Sequence, residues 1–321
     1  MEAIGEYLSS LSLSGLLSRI PAGISQGLIW ALMAIGVYIT FRILDIADLS
    51  VDGTFSTGGA VTAILIIAGV PPIVAVIIAF FCGLLAGIVT GLLHTRLGIP
   101  AILAGILTQY ALYSINLAIM GFKANTAISA DNYNLVVSGR NVSLAIVISL
   151  VFVVVIIAAL YWFFGTERGM SVRATGCNPQ MSKAQGININ LNKVIGLALS
   201  NALVALSGSL FAQYSGFADV NSGRGAIVIG LAAVIIGEVI GDAILGKRMN
   251  FAFRMIFIAI GGIIYYLIYT LVLWLKMDPN MMKLFTAVIV AICLAAPYLK
   301  KARKNSFRRA GKNSAGGRKD A

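Results

Sequence analysis

The sequence predicts an all-α protein, a polytopic bundle of transmembrane helices. Three observations predict it. Hydrophobic residues make up 59% of the 321 residues and charged residues only 11%, where a soluble domain carries roughly 25% charged residues. The mean hydropathy is +0.93. The apolar residues gather in continuous runs of roughly 20, the length that crosses a hydrocarbon core. This composition excludes an ordinary soluble domain, and also a disordered chain, which needs low hydrophobicity. The runs do not alternate and are too long for barrel strands, which excludes a β-barrel.

Along the chain, residues 1–21 form an N-terminal segment assigned to the outside. Glu2 and Glu6 come early, and neither a basic start nor a cleavage site marks a signal peptide. The transmembrane domain is assigned to residues 22–298. Its runs fall at about 22–43, 54–70, 72–92, 99–120, 142–164, 194–215, 226–241, 251–275 and 282–298. That is nine spans, within a range of eight to ten. The second and seventh are short for an upright span, and Pro71-Pro72 separates the second from the third. The longest polar stretch, 165–193, is too small for a catalytic domain. Residues 299–321 form a basic tail.

The formal charge is +12. From Lys300 onward there are nine basic residues and one acid, Asp320, so the tail carries most of that excess. A basic tail after a span marks a cytoplasmic flank facing anionic lipid and argues against nucleic acid. The segments 93–98, 165–193 and 242–250 are also basic and thread to the same side. Residues 121–141, 216–225 and 276–281 then lie outside. The expected location is a bacterial plasma membrane, with the C-terminus in the cytoplasm.

Charges inside or beside apolar runs mark candidate function, because ionisable groups are costly in lipid. Arg42, Asp45, Asp48 and Asp52 lie between the first two runs. The three acids, spaced by three and four, would share one helical face, with Arg42 as nearest partner. Glu238 and Asp242, also four apart, end the seventh run. These six form a gate or a structural polar cluster. Tyr38, Gln109, Tyr110 and Gln213 are polar handles within apolar runs, either lining a substrate pathway or bonding helix to helix. Cys82, Cys177 and Cys293 have neither disulfide nor metal spacing. His94 is the single histidine, so no hydrolytic triad is built around histidine and no metal cluster is expected. No phosphate-binding GxxxxGK[ST] loop occurs. The chain is therefore expected to bind no cofactor directly and to be no enzyme; any ATP would be used by a partner chain.

The 34 glycines include Gly83 and Gly87 within one run, where small residues let helices approach closely. A faint repeat also appears. Ala31-Leu32-Met33-Ala34 resembles Ala202-Leu203-Val204-Ala205, and Ala47-Asp48-Leu49-Ser50 resembles Ala218-Asp219-Val220-Asn221 at the same offset. The offset covers an odd number of spans, so the repeat would be inverted, as in many transporters.

In the polar loop, Asn178-Pro179 starts a short helix well, since asparagine caps and proline suits the first position. Gly186 can end it. The run from Arg173-Ala174 through Gly176, Asn178, Ser182 and Gly186-Ile187-Asn188 resembles the permease subunits of bacterial ABC importers. The matching superfamily is that of the branched-chain amino acid, ribose and basic-lipoprotein-associated permeases. The resemblance covers roughly residues 25–298. The segment Asp48-Leu49-Ser50-Val51-Asp52-Gly53 resembles the branch linked to tryptophan and tyrosine uptake. The resemblance implies a permease subunit that forms the pathway for a small solute, with an amino acid such as tryptophan or tyrosine expected. It implies cytoplasmic ABC ATPases, a second permease copy in a homodimer, and an extracytoplasmic substrate-binding lipoprotein. It also implies that Arg173, Ala174, Gly176, Asn178, Pro179, Lys183 and Gly186 couple the ATPase to the spans. The inverted echo and the acids Asp45, Asp48, Asp52 and Glu238 would equally serve the alternative, an ion-coupled secondary transporter.

Overall fold

The computed structural model describes residues 13–128, 133–246 and 249–274, together with 284, 288, 291 and 295. The chain divides into two units, Met1–Lys276 and Met277–Ala321. In the second, the four described residues are helical and exposed. The rest of the ninth expected run, 282–298, and the basic tail lie outside the described residues, as do residues 1–12.

The described part of the first unit consists of helices and one small ribbon. Helix α1 (Leu13–Tyr38) continues into a π-helical turn, Ile39–Ile43. Then come α2 (Val51–Ile67), α3 (Pro72–Thr95), α4 (Ala101–Ile119), β1 (Asn125–Ala127), α5 (Val142–Gly165), α6 (Glu167–Cys177), α7 (Pro179–Ala184), α8 (Ile189–Ser215), β2 (Phe217–Asp219), α9 (Ala226–Ile244) and α10 (Phe251–Trp274). Seven of these are long and apolar enough to cross a membrane: α1 with its π turn, α3, α4, α5, α8, α9 and α10. Helix α2 corresponds to the second expected run. Its 17 residues span about 26 Å at 1.5 Å per residue, short of a hydrocarbon core of roughly 30 Å. It is instead buried over most of its length.

Helix α8 is the hub, packed by α1, α2 and α3. Its partner surfaces are built from small residues. Gly83, Gly87 and Gly91 form a stripe on α3 that rides over Ala205, Leu197 and Val194 of α8, with no room for a methyl group. The line Thr54–Asn201, Gly58–Ala205, Thr62–Ser209 shows α2 and α8 running parallel. In contrast, α1 and α8 are antiparallel. Ser200 Oγ donates to the Gly36 carbonyl at 2.7 Å and Ser207 Oγ to the Ile29 carbonyl at 2.8 Å.

Those two bonds carry the inverted repeat. At the offset of the sequence echo, Gly36 corresponds to Ser207 and Ile29 to Ser200, so each bond is the image of the other. The Asx turns agree: Asp48 Oδ1 accepts from Ser50 N at 2.9 Å, and Asp219 Oδ1 from Asn221 N at 2.6 Å. Because α1 and α8 are equivalent and antiparallel, the two halves are inverted relative to each other.

Two local features differ from the expectation. Residues 44–50 are not helical, and Asp45 has φ +56°, so Asp45, Asp48 and Asp52 do not share a helical face. Residues 167–177 form a helix, capped by Thr166, whose Oγ1 accepts from Gly169 N at 3.3 Å. It lacks an apolar run, and the amide of Gly169 is held by this cap. The expected short helix forms as α7, with Asn178 Oδ1 accepting from Met181 N at 3.0 Å and Gly186 beyond it at φ +76°.

The basic connectors 93–98 and 165–193 meet at one end of the bundle. Lys193 Nζ lies 3.2 Å from His94 Nε2, and Gly176 abuts Ile43 and Leu44. The β1–β2 ribbon, the Val136–Gln213 bond and the Gly139–Tyr214 bond mark the opposite end.

Candidate functional site: the meeting point of two broken helices

Two connecting segments, 44–50 and 216–225, launch α2 and α9 from neighbouring points. The buried Asp48 anchors the first. Its Oδ1 accepts from Ser50 Oγ at 2.6 Å as well as from Ser50 N, and its Oδ2 accepts from Asn201 Nδ2 at 2.7 Å. Asn201 Oδ1 accepts from Thr54 Oγ1 at 2.7 Å, and its Nδ2 also donates to Leu197 O at 3.0 Å. Every polar atom in this buried knot therefore has a partner, as burial in an apolar surround requires. Gly105 of α4 packs directly on the turn.

Asp52, one helical turn later, joins the halves. Its Oδ2 accepts from Gly225 N and its Oδ1 from Ile227 N, each at 2.9 Å. A carboxylate thus closes the N-terminus of α9, where free N–H groups and the helix dipole favour an anion. The reciprocal bond runs from Gly223 N to Ser56 Oγ at 3.0 Å. Asp52 corresponds to Gly223 and Ser56 to Ile227 at the repeat offset, so this pair too is exchanged by the repeat. Gly223 sits so tightly on the Asp52 carbonyl that no side chain fits there.

Beside this junction lies a cavity of about 600 Å³, lined by α2, α4 and the α9 approach. Such a volume is in the range of small-molecule sites. Asp52, Gln109, Tyr110, Tyr113, Asn116 and Arg224 give it its chemistry. The Arg224 guanidinium lies 6.0 Å from the Tyr113 ring centroid.

The structure brings Gln109, Tyr110 and Asp52 to this cavity and puts the other singled-out residues elsewhere. Tyr38 is buried near Phe251, 6.5 Å between rings. Gln213 is buried, and its Oε1 accepts from Val136 N at 2.9 Å, tying down the segment before α5. Arg42 does not pair with the neighbouring aspartates; its Nε donates to Glu238 Oε1 at 2.8 Å. The turn directs Asp48 inward and Asp52 toward α9, leaving Arg42 to reach α9 from the π turn. Asp45 and Asp242 are exposed. Arg173, Ala174 and Gly176 lie on α6, Asn178 caps α7, and Pro179 and Lys183 lie within it. Sequence reasoning missed Asn116, Asn201 and Arg224. The first two are amides inside apolar runs, the same signal that marked Gln109.

Among the described residues, no group of His, Cys, Asp or Glu could hold a metal ion. The family described as "Branched-chain amino acid transport system / permease component" matches residues 20–294. The chain belongs to that family. The permease is 40% identical to the tyrosine transport system permease protein of Clostridioides difficile (strain R20291), over 87% of this chain and 91% of that one. It is 34% identical to an uncharacterized protein of Rickettsia prowazekii (strain Madrid E), over 85% of this chain and 95% of that one. It is 28% identical to the ribose import permease protein of Escherichia coli (strain K12), over 64% and 65% respectively. No solved structure matches it significantly.

The permease is a multi-pass membrane protein that contributes a translocation pathway to an ABC importer, rather than a catalytic chain. Family membership implies the importer plan of ATPase, substrate-binding protein and second permease.

Proposed function

We propose that the permease pairs with a second copy of itself and imports an amino acid, with an aromatic one such as tyrosine or tryptophan as substrate. ATPases dock on α6–α7 in the cytoplasm, and an extracytoplasmic lipoprotein delivers the substrate. The basic tail lies on the cytoplasmic side against anionic lipid. The likeness to a tyrosine transport system permease supports the substrate.

One observation carries the coupling mechanism: α6 is seated on the end of α1. Gly176 abuts the Ile43 carbonyl with no space for a methyl group. Val172 of α6 shares a hydrophobic cluster with Ile43, Leu44 and Leu197. Arg173 lies over the Phe251 ring, 5.1 Å from its centroid, at the start of α10. Met170, Arg173, Met181 and Lys183 remain exposed for a partner. A displacement of α6 therefore moves the π turn, and with it Arg42, whose ion pair with Glu238 ties α1 to α9. A π turn within an α-helix is a place where the hydrogen-bond ladder can readjust. ATP-driven closure would shift the population between inward- and outward-facing states through this contact.

The test is uptake into proteoliposomes holding the permease, its ATPase and its binding protein. Labelled tyrosine or tryptophan should accumulate with ATP. Gly176→Leu should reduce uptake at least about tenfold while the complex still assembles. Accumulation driven by an ion gradient without the ATPase would replace this reading with a secondary transporter.

A further inference from the structure

Asn116 on α4 is fully buried. Its Nδ2 donates to the Gly53 carbonyl at 3.3 Å, at the start of α2. Its Oδ1 is buried and accepts no hydrogen bond. Turning the amide over would set that oxygen against the Gly53 carbonyl, which can only accept, so the orientation is fixed by its neighbour. Buried acceptors are rarely left unpaired, and Asn116 lines the cavity beside α2 and α9. The site thus calls for a donor from whatever occupies it.

The charges of the same cavity complete the pattern. Arg224 forms no ion pair among the described residues, and its guanidinium rests near the Tyr113 ring. Asp52 lines the cavity while capping α9. One positive and one negative side chain leave the cavity with no net formal charge. A lone anion or cation entering it would meet a like charge as well as an opposite one; a ligand carrying both charges meets an opposite charge at each end. Tyr110 and Tyr113 add aromatic faces to the lining.

We infer that this cavity is a recognition site within the permease for the zwitterionic head group of an aromatic α-amino acid. The carboxylate pairs with Arg224. The ammonium donates to Asn116 Oδ1 and faces Asp52, and the ligand ring lies against Tyr110 and Tyr113. The permease then selects its substrate itself, in addition to any choice made by the binding protein. This rests on the amino-acid import reading above.

The test uses the permease–ATPase complex in lipid nanodiscs without the binding protein, with equilibrium binding of labelled L-tyrosine. Tyramine lacks the carboxylate, and 3-(4-hydroxyphenyl)propionate lacks the ammonium. Each should compete at least about tenfold more weakly than tyrosine. Arg224→Gln and Asn116→Leu should each weaken tyrosine binding about tenfold or more in complexes that stay monodisperse. Arg224→Lys should recover part of the loss. Equal competition by the two half-analogues, or unchanged affinity in both variants, would overturn the site. Tyrosine import by the full system with no binding in the nanodiscs would also overturn it and leave the import reading standing. Failure of the full system to import any amino acid would remove both.

Discussion

Helices α5 and α8 are both long and apolar, yet they have opposite fates. In α5, 17% of the most apolar stretch is buried within the protein; in α8 the share is 78%. Val147, Val151, Val154 and Val155 of α5 point outward, and large aliphatic residues dominate its sequence. Helix α8 carries Asn192, Ser200, Asn201, Ser207, Ser209 and Gln213, all buried. In water the more hydrophobic helix would be the core. In lipid the apolar surround is already supplied by the bilayer. Burial then goes to the helix whose small and polar residues gain most from close packing and internal hydrogen bonds.

Three substitutions would break or sharpen that contrast. The largest effect is expected for Asn201→Leu in α8, which leaves the Asp48 carboxyl short of a partner in the buried knot. It should cost about 3 kcal/mol, read as a lowered unfolding midpoint in detergent, with transport lost. Next comes Gly58→Val, which drives a side chain into the Ala205 carbonyl where α2 meets α8. Overpacking of this kind should cost about 2 kcal/mol, seen in the same unfolding experiment. The smallest effect belongs to Val154→Ala in α5, a residue 57% exposed on the outer face. Its midpoint should move by less than about 0.5 kcal/mol equivalent. If Val154→Ala proved as damaging as Gly58→Val, the outer face of α5 would have to be an interface rather than a lipid surface.

Much of the bundle could be read from apolar runs alone, because length and continuity suffice to mark a span. The short helix after Asn178 was legible from its cap and its proline. Helix α6 was not, because its sequence offers neither an apolar run nor a clear amphipathic face. The ribbon of β1 and β2 was also hidden, since three-residue strands from distant segments leave no local period. The candidate site was legible in pieces. Asp52, Gln109 and Tyr110 stood out as polar groups near apolar runs. That Asn116 and Arg224 lie at the same cavity depends on α4 packing beside the approach to α9.

The amino-acid sequence by itself determined that the chain crosses a membrane repeatedly, where its small-residue stripes fall, and which family it resembles. Those properties depend on composition, spacing and short motifs, which are local. Tertiary structure decided which charges are partners. Arg42 lies within ten residues of three aspartates in sequence, yet it pairs with Glu238 on α9. Asp52 instead closes the start of α9 through Gly225 and Ile227. The reason is geometric: the turn at 44–50 and the approach at 216–225 bring two helix starts together, and a charged group is stabilised by the partners it can reach, whatever their distance along the chain.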